Sequence, residues 1–256
     1  MTATTATAAF THAESVMGTV VGVAGPDPLP ALALQAAVEI LHETDRVFST
    51  WNPTSPLSRL RRGEVTLEDL HPGDATLIAR VLERCALARE LTGGAFDPWA
   101  MPGGVDPTGL VKGWAAQRAL DALVAGGAAT VMVNAGGDIA TAGRPDGHPW
   151  RIGIRHPAQP HAYSAVVEVT AAIATSGDYE RPGQLIDTAT GRAARVAASA
   201  TVTGPRLDLV DALATGLAVA GHPVLAAIDR LPGYEAYLIT DGGRHYATPG
   251  MAFAPA

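Results

Sequence analysis

Apolar residues recur every three or four positions in four segments of the chain, with polar residues between them. One such stripe runs through Leu77, Val81 and Cys85. This spacing is typical of helices that bury one face. It predicts four helices: one from about residue 34, one over residues 74–91 with Asp74 as its N-cap, one from about residue 111 to glycines 126 and 127, and one over residues 207–220.

Short apolar runs bounded by glycine, proline or polar residues predict strands. They cover residues 15–24, 130–133, 150–154, 166–170, 197–203 and 236–240. Helices and strands alternate irregularly, so the order favours an α+β fold over a doubly wound parallel sheet. Residues 1–12 are predicted to form a flexible tail, and residues 13–256 a single domain.

Composition narrows the classes of function. The chain has 256 residues, of which 47% are hydrophobic, so it has enough apolar surface for a sizeable core. Its formal net charge is −7 and its basic residues cluster only at Arg59, Arg61 and Arg62, which argues against a nucleic-acid partner or an anionic membrane surface. The single cysteine, Cys85, excludes an internal disulfide. Without a recognisable secretory signal or membrane-spanning run, a cytoplasmic location is expected.

A pair of oxygen-bearing side chains stands on the last predicted helix. Asp211 and Thr215 are four residues apart and therefore leave the same helix face. A carboxylate and a hydroxyl are hard ligands that suit Mg²⁺. The alternative is a solvated aspartate beside a threonine bonded to its own turn. Asp208, one turn earlier, is either a further ligand or a charge at the helix N-terminus.

Glycine-rich segments supply further candidates for ligand binding. Lys112, flanked by Gly109 and Gly113 at a helix start, is placed to meet phosphate groups, although the segment lacks the Walker A spacing. Residues 134–138, 175–179 and 95–98 each combine open backbone with polar side chains. Each segment is equally compatible with an ordinary turn, and Lys112 with a surface lysine.

Taken in order, these segments resemble the ApbE family of FAD:protein FMN transferases. The matching series comprises Met17-Gly18-Thr19; Phe48 to Leu60; Thr92 to Pro98; Asp106 to Gly113; Asn134 to Asp138; Thr175-Ser176-Gly177; Ile186-Asp187 with Thr190-Gly191; and Asp211-Ala212 with Thr215. The resemblance covers most of the chain, and its order is more specific than any one segment. It implies a two-lobed α+β fold with mixed or antiparallel sheets and a cleft for FAD between the lobes.

The resemblance also implies roles for individual residues. It assigns Mg²⁺ to the carbonyl of Val111 and the side chains of Asp211 and Thr215, and the phosphates of FAD to Lys112. The implied flavin and adenosine contacts are Met17, Trp51, Asp97, Gly136, Gly137, Asp138, Ser176 and Gly177. The implied reaction moves the FMN moiety of FAD to a Ser or Thr hydroxyl of an acceptor protein and releases AMP.

Three positions depart from the family pattern. Gln184 replaces a histidine and Thr188 replaces a proline around Asp187. If that histidine helps to deprotonate the acceptor hydroxyl in the family, transfer here is slow or uses another base, for which Asp187 and Asp106 are available. Gln117 replaces an aspartate expected near the nucleotide. These departures leave two alternatives open: an FAD pyrophosphatase that transfers FMN to water, and an FAD-binding protein without catalysis. The sequence does not name the acceptor.

Overall fold

A computed structural model describes residues 10–177, 185–188, 190–194 and 196–255 of the chain. Its centre is an eight-stranded sheet in which every neighbouring pair is antiparallel. The main helices are α1 (Ala31–Phe48), α2 (Pro56–Arg61), α3 (Pro72–Leu91), α4 (Thr108–Ala125), α5 (Leu207–Ala220) and α6 (His222–Ile228). The mixture of helices with antiparallel sheets confirms the predicted α+β class.

The strands form three sheets. In chain order they are β1 (Phe10–Val16), β2 (Thr19–Gly25), β3 (Val131–Ala135), β4 (Asp138–Ala142), β5 (Trp150–His156), β6 (Gln159–Val169), β7 (Ala172–Ser176), β8 (Ile186–Asp187), β9 (Arg192–Ala193), β10 (Ala197–Gly204), β11 (Glu235–Thr240) and β12 (His245–Ala247). The large sheet has the order β1-β2-β3-β4-β7-β10-β11-β12, while β5 pairs with β6 and β8 with β9.

The two faces of the large sheet bury different layers. Ala140 of β4 and Leu238 of β11 belong to the larger core, which also contains the buried faces of the helices. Their neighbours Ile139 and Ile239 belong to a smaller core, with Ile154 and other apolar residues of the β5–β6 hairpin. This alternation follows from the two-residue period of a strand. The large sheet is therefore covered by helices on one face and by a hairpin on the other.

The predicted strand over residues 15–24 is wrong as a single element. The chain reverses at Met17 and Gly18, whose φ angles are 54° and 67°, and β1 pairs with β2 on either side of them. Two positive φ angles define the tight turn that suits the twist of a hairpin. Strand β1 begins at Phe10, inside the residues 1–12 that were predicted as a tail.

Helix boundaries also differ from the predictions. Helix α3 begins at Pro72, and the side chain of His71, not that of Asp74, caps it by accepting from the backbone N–H of Gly73. Helix α4 begins at Thr108, before the predicted start near Val111, so Lys112 lies in its second turn rather than at its start. Helix α5 has the predicted bounds. Among the described residues, no helix combines the length and the apolar character needed to cross a bilayer.

Candidate functional site

A cleft of about 160 Å³ opens where turns of the large sheet meet α4 and α5. The β1–β2 and β3–β4 turns, the end of β7 and the residue before β8 form its rim. Its lining residues are Met17, Thr19, Thr108, Gly109, Lys112, Gly136, Asp138, Thr175, Ser176, Gly177, Leu185, Asp211 and Thr215.

Three charged side chains meet in this cleft. The Lys112 ammonium contacts Asp138 Oδ2 and lies 3.4 Å from Asp211 Oδ2. Both aspartates are only 4% exposed. Because two carboxylates face one ammonium, the cluster has a formal charge of −1 when all three groups are ionised. A buried site with excess negative charge favours a cationic ligand.

The two carboxylate oxygens of Asp211 differ in their contacts with the described part of the protein. Its Oδ2 accepts the backbone N–H of Gly113 at 2.9 Å and faces Lys112. Its Oδ1 accepts no hydrogen bond from any of the residues that the structure describes. Burial raises the pKa of Asp211, and the Lys112 ammonium opposes that shift. A cation at Oδ1 would compensate the same desolvation.

Thr215 lies one turn further along α5 and presents its hydroxyl to the same cleft. Its Oγ1 is 3.3 Å from the hydroxyl of Ser176, a long contact that leaves room for a stronger partner. A carboxylate oxygen and a hydroxyl on one helix face are hard donors, and they fit a Mg²⁺ ion. No cluster of three or more His, Cys, Asp or Glu side chains suited to a metal occurs within the described ranges. A metal here would therefore need ligands of other kinds as well, such as carbonyls, water or phosphate.

The close crossing of α4 and α5 explains why these groups meet. A Cβ atom at Gly113 would lie 2.6 Å from the carbonyl oxygen of Leu207 and 2.8 Å from Cβ of Asp211. Glycine thus permits an approach that any side chain would prevent. The amide oxygen of Gln117 accepts the N–H of Leu207 at 2.8 Å, which satisfies a donor at the start of α5.

Turn geometry fixes the opposite wall of the cleft. Gly136 and Gly137 have φ angles of 60° and 101° and connect β3 to β4. A Cβ atom at Gly136 would lie 2.7 Å from the hydroxyl of Thr19 on β2. The side-chain oxygen of Asn134 accepts the N–H of Gly137 at 2.8 Å. The turn therefore delivers Asp138, the first residue of β4, into the cleft.

Most predicted site residues converge on this cleft, but several do not line it. Met17, Lys112, Gly136, Asp138, Ser176, Gly177, Asp211 and Thr215 are in the lining, and Gly137 is next to two of them. Trp51 is 94% exposed on the loop before α2. Asp97 pairs with Arg89 at 2.6 Å and caps Trp99. The side chain of Val111, which lies on α4, is buried.

The residues that depart from the family pattern have different surroundings. Gln117 is buried between α4 and α5 and does not line the cleft. Asp187 lies two residues after Leu185, which lines the cleft, and its Oδ2 accepts a hydrogen bond from the hydroxyl of Thr190. Thr188 donates its hydroxyl to the carbonyl of Gly94 at 2.8 Å. Gln184 lies outside the described residues.

Asp208 is not part of the cleft. Arg84 of α3 binds both of its carboxylate oxygens, at 3.0 and 3.2 Å, and Asp208 lies in the first turn of α5, as expected for a charge at the helix N-terminus. Thr19, Thr108 and Leu185 line the cleft without having been singled out. Thr19 belongs to a segment of the family pattern, whereas a leucine such as Leu185 carries no chemical signal in the sequence.

Comparisons with known proteins agree with this geometry. Two relatives named FAD:protein FMN transferase, from Rhodobacter capsulatus and Vibrio cholerae, are 36% and 35% identical over 157 and 160 residues. Those matches cover 57% and 56% of this chain but only 30% and 48% of the relatives. The chain thus matches less than half the length of these curated relatives.

Solved structures share the fold over nearly the whole chain. The flavin transferase ApbE from Vibrio cholerae superposes with a TM-score of 0.78 at 25% identity, covering 94% of this chain and 97% of that one. An ApbE protein from Thermotoga maritima has the same TM-score and coverage at 23% identity, which supports the fold alone. Residues 17–104 and 102–238 match the ApbE family in sequence. The chain belongs to the ApbE family.

Proposed function

We propose that this protein transfers the FMN moiety of FAD to a Ser or Thr hydroxyl of an acceptor protein, with Mg²⁺, and releases AMP. Family membership and the names of the curated relatives support the reaction class. The observation that carries the proposal is the joint presence of Lys112 and the open oxygen of Asp211 in one cleft. A metal ion and a fixed positive charge both accelerate displacement at a pyrophosphate, because they neutralise the charge that develops on its oxygens.

Asp211 Oδ1, the Thr215 hydroxyl and the backbone carbonyl of Val111 would hold the metal. When bound, Mg²⁺ would neutralise charge that builds on the phosphate oxygens during displacement. Lys112 adds an ammonium on the same side of the cleft and stabilises the departing AMP. Met17, Trp51, Asp97, Gly136, Gly137, Asp138, Ser176 and Gly177 remain the proposed flavin and adenosine contacts.

The proposed transfer is a displacement at the phosphorus of the FMN half. The acceptor oxygen forms the new P–O bond, and the bond to the AMP oxygen breaks with its electron pair. The hydroxyl proton passes to a base, for which Asp187 is the proposed residue, since β8 begins beside the lining residue Leu185. The contribution of Gln184 and the cytoplasmic location remain predictions from the sequence.

One incubation separates transfer from its alternatives. The protein is mixed with FAD and Mg²⁺, with and without an acceptor protein of an ApbE-dependent system, and AMP and covalent flavin are measured. Transfer requires AMP and covalent flavin only with the acceptor. AMP in its absence would indicate a pyrophosphatase, and a shifted flavin spectrum without AMP would indicate a binding protein; either result contradicts the proposal.

Replacing Asp211 tests the metal site directly. Asp211→Asn removes the charge but keeps the size of the side chain, so Mg²⁺-dependent AMP release should fall about 100-fold or more. The fold should persist, because burial already disfavours the charged form. The exposed Asp229 at the end of α6 offers a control, Asp229→Asn, which should keep full activity. Unchanged Mg²⁺ dependence in Asp211→Asn would remove Asp211 from the site.

A further inference from the structure

Asp138 is fixed from two sides within the cleft. Its Oδ1 accepts the backbone N–H of Thr175 at 3.0 Å, and its Oδ2 contacts the Lys112 ammonium. The carboxylate stands on the first residue of β4, in a strand that is hydrogen-bonded on both sides. Asp138 therefore offers a rigid negative charge at one place in the cleft.

Lys112 is the most exposed member of the cluster. Its side chain is a flexible four-carbon stem and is 33% exposed. The contact with Asp138 is the closer of its two carboxylate contacts, and Asp211 Oδ2 is 3.4 Å away. If the charge of Asp138 were absent, Asp211 would be the one carboxylate left beside the ammonium among the residues described.

We propose that Asp138 is a positioning residue for the metal site: it keeps the Lys112 ammonium on the Oδ2 side of Asp211, 3.4 Å from that oxygen, so that the open oxygen, Oδ1, stays available to a divalent cation. This inference rests on the proposed function, because it takes Asp211 as a metal ligand. It gives Asp138 a role that is exerted through Lys112, in addition to the direct flavin contact that the family resemblance implies.

The substitution Asp138→Asn isolates that role. The amide oxygen of asparagine still accepts the N–H of Thr175, but the charge that attracts Lys112 is gone. The ammonium then pairs with Asp211 and competes with the metal. Mn²⁺ is the probe, and free Mn²⁺ is measured by electron paramagnetic resonance in the protein without FAD, because the phosphates of FAD would themselves pair with Lys112. Affinity for Mn²⁺ should fall about tenfold, a coupling typical of groups in direct contact.

A second substitution distinguishes positioning from a direct effect of the lost charge. In the double variant Asp138→Asn with Lys112→Met, no ammonium remains to occupy Asp211, so Mn²⁺ affinity should recover to within about threefold of the wild type. Lys112→Met alone should also stay within about threefold, because in the wild type Asp138 already restrains the ammonium. Glu64→Gln serves as the control: it removes one exposed negative charge, which pairs with Arg62, and should bind Mn²⁺ like the wild type.

Each outcome decides the proposal. Equal weakening in the single and double asparagine variants would mean that Asp138 acts on the metal directly, and it would overturn the inference. An unchanged Mn²⁺ affinity in Asp138→Asn would also overturn it. A gain in Mn²⁺ affinity of about tenfold in Lys112→Met would do the same, and this result can be obtained even if Asp138→Asn does not fold. A wild-type protein that binds no Mn²⁺ would overturn the proposed metal site itself, and the inference with it.

Discussion

Two aspartates on α5, three residues apart, have opposite surroundings. Arg84 binds both carboxylate oxygens of Asp208, whereas in Asp211 only Oδ2 accepts a hydrogen bond from the described residues. Both side chains are almost fully buried. A buried carboxylate that is fully paired serves stability, and one with an open oxygen facing a cleft is available for a ligand.

Cys85 illustrates how burial controls chemistry at a single residue. The thiol is buried on α3, and desolvation together with the charge of Asp106 raises its pKa to about 12. We therefore expect native Cys85 to resist iodoacetamide at pH 8 and to react only on unfolding. The rate of labelling in increasing urea should follow the unfolding transition measured by circular dichroism.

The same pKa predicts a dependence of stability on pH. In the unfolded chain the thiol ionises near pH 8.5, while in the folded protein it stays protonated until about pH 12. Its contribution is thus complete below about pH 8.5 and is lost as pH rises towards 12, at about 1 kcal/mol per pH unit. Urea unfolding should show this slope between about pH 9 and 10 and no contribution from the thiol near pH 7, and Cys85→Ala should show a shallower slope. Equal slopes would mean that the thiol does not titrate differently on folding.

At the residue scale, the sequence predicted the groups but not their partners. The spacing of Asp211 and Thr215 placed both on one helix face, and the structure brings both into the cleft. Helical spacing applied equally to Asp208, and only the packing of α3 against α5 assigns it to Arg84. The pairing of Lys112 with Asp138 joins α4 to β4, and no local pattern in the sequence encodes such a contact.

At the scale of elements, long periodic segments were predictable and tight reversals were not. Helix α5 has the predicted bounds because its apolar positions continue to Gly221, where the chain takes a φ of 65°. The β1–β2 hairpin was missed because its turn contains Met17, whose positive φ is unusual for a residue with a side chain. The short β12 and the paired β8 and β9 are too brief for a periodic signal.

A half-buried ion pair joins α3 to α5, in addition to their apolar packing. Arg84→Met removes the guanidinium and leaves Asp208, which is 2% exposed, without its bidentate partner. Breaking such a pair from one side should lower the free energy of unfolding by about 2–3 kcal/mol, measured by urea denaturation. Arg62→Met breaks an exposed pair with Glu64 and should change little. A similar small effect in both variants would show that Asp208 is adequately solvated or paired by Arg206.

At the scale of the whole molecule, the cleft joins distant parts of the chain. Residues from the β1–β2 turn near the start, from α4 and β4 in the middle, and from α5 beyond residue 207 line the same cleft. Sequence order alone showed that these segments belong to one family pattern, but their convergence depends on the sheet order that places β2, β3, β4 and β7 side by side. Ligand binding should consequently stabilise the fold as a unit rather than one segment of it.

This convergence predicts that FAD and Mg²⁺ stabilise the protein cooperatively. In the proposed site, FAD would supply phosphate oxygens to the metal and α5 would supply Asp211 and Thr215, so each ligand would complete the site of the other. At about 100 times its dissociation constant, a ligand adds about 2.7 kcal/mol, which corresponds to a rise in Tm of roughly 5–10 °C for a chain of this size. The shift with both ligands, measured by differential scanning calorimetry, should exceed the sum of the separate shifts.

Riboflavin with Mg²⁺ is the matched control, because it carries the flavin ring without phosphate and should give no excess. Asp211→Asn should abolish the excess with FAD while retaining most of the shift due to FAD alone. Strictly additive shifts in the wild type would mean that the metal and the pyrophosphate do not share a site, and the assignment of Asp211 and Thr215 to Mg²⁺ would then fail.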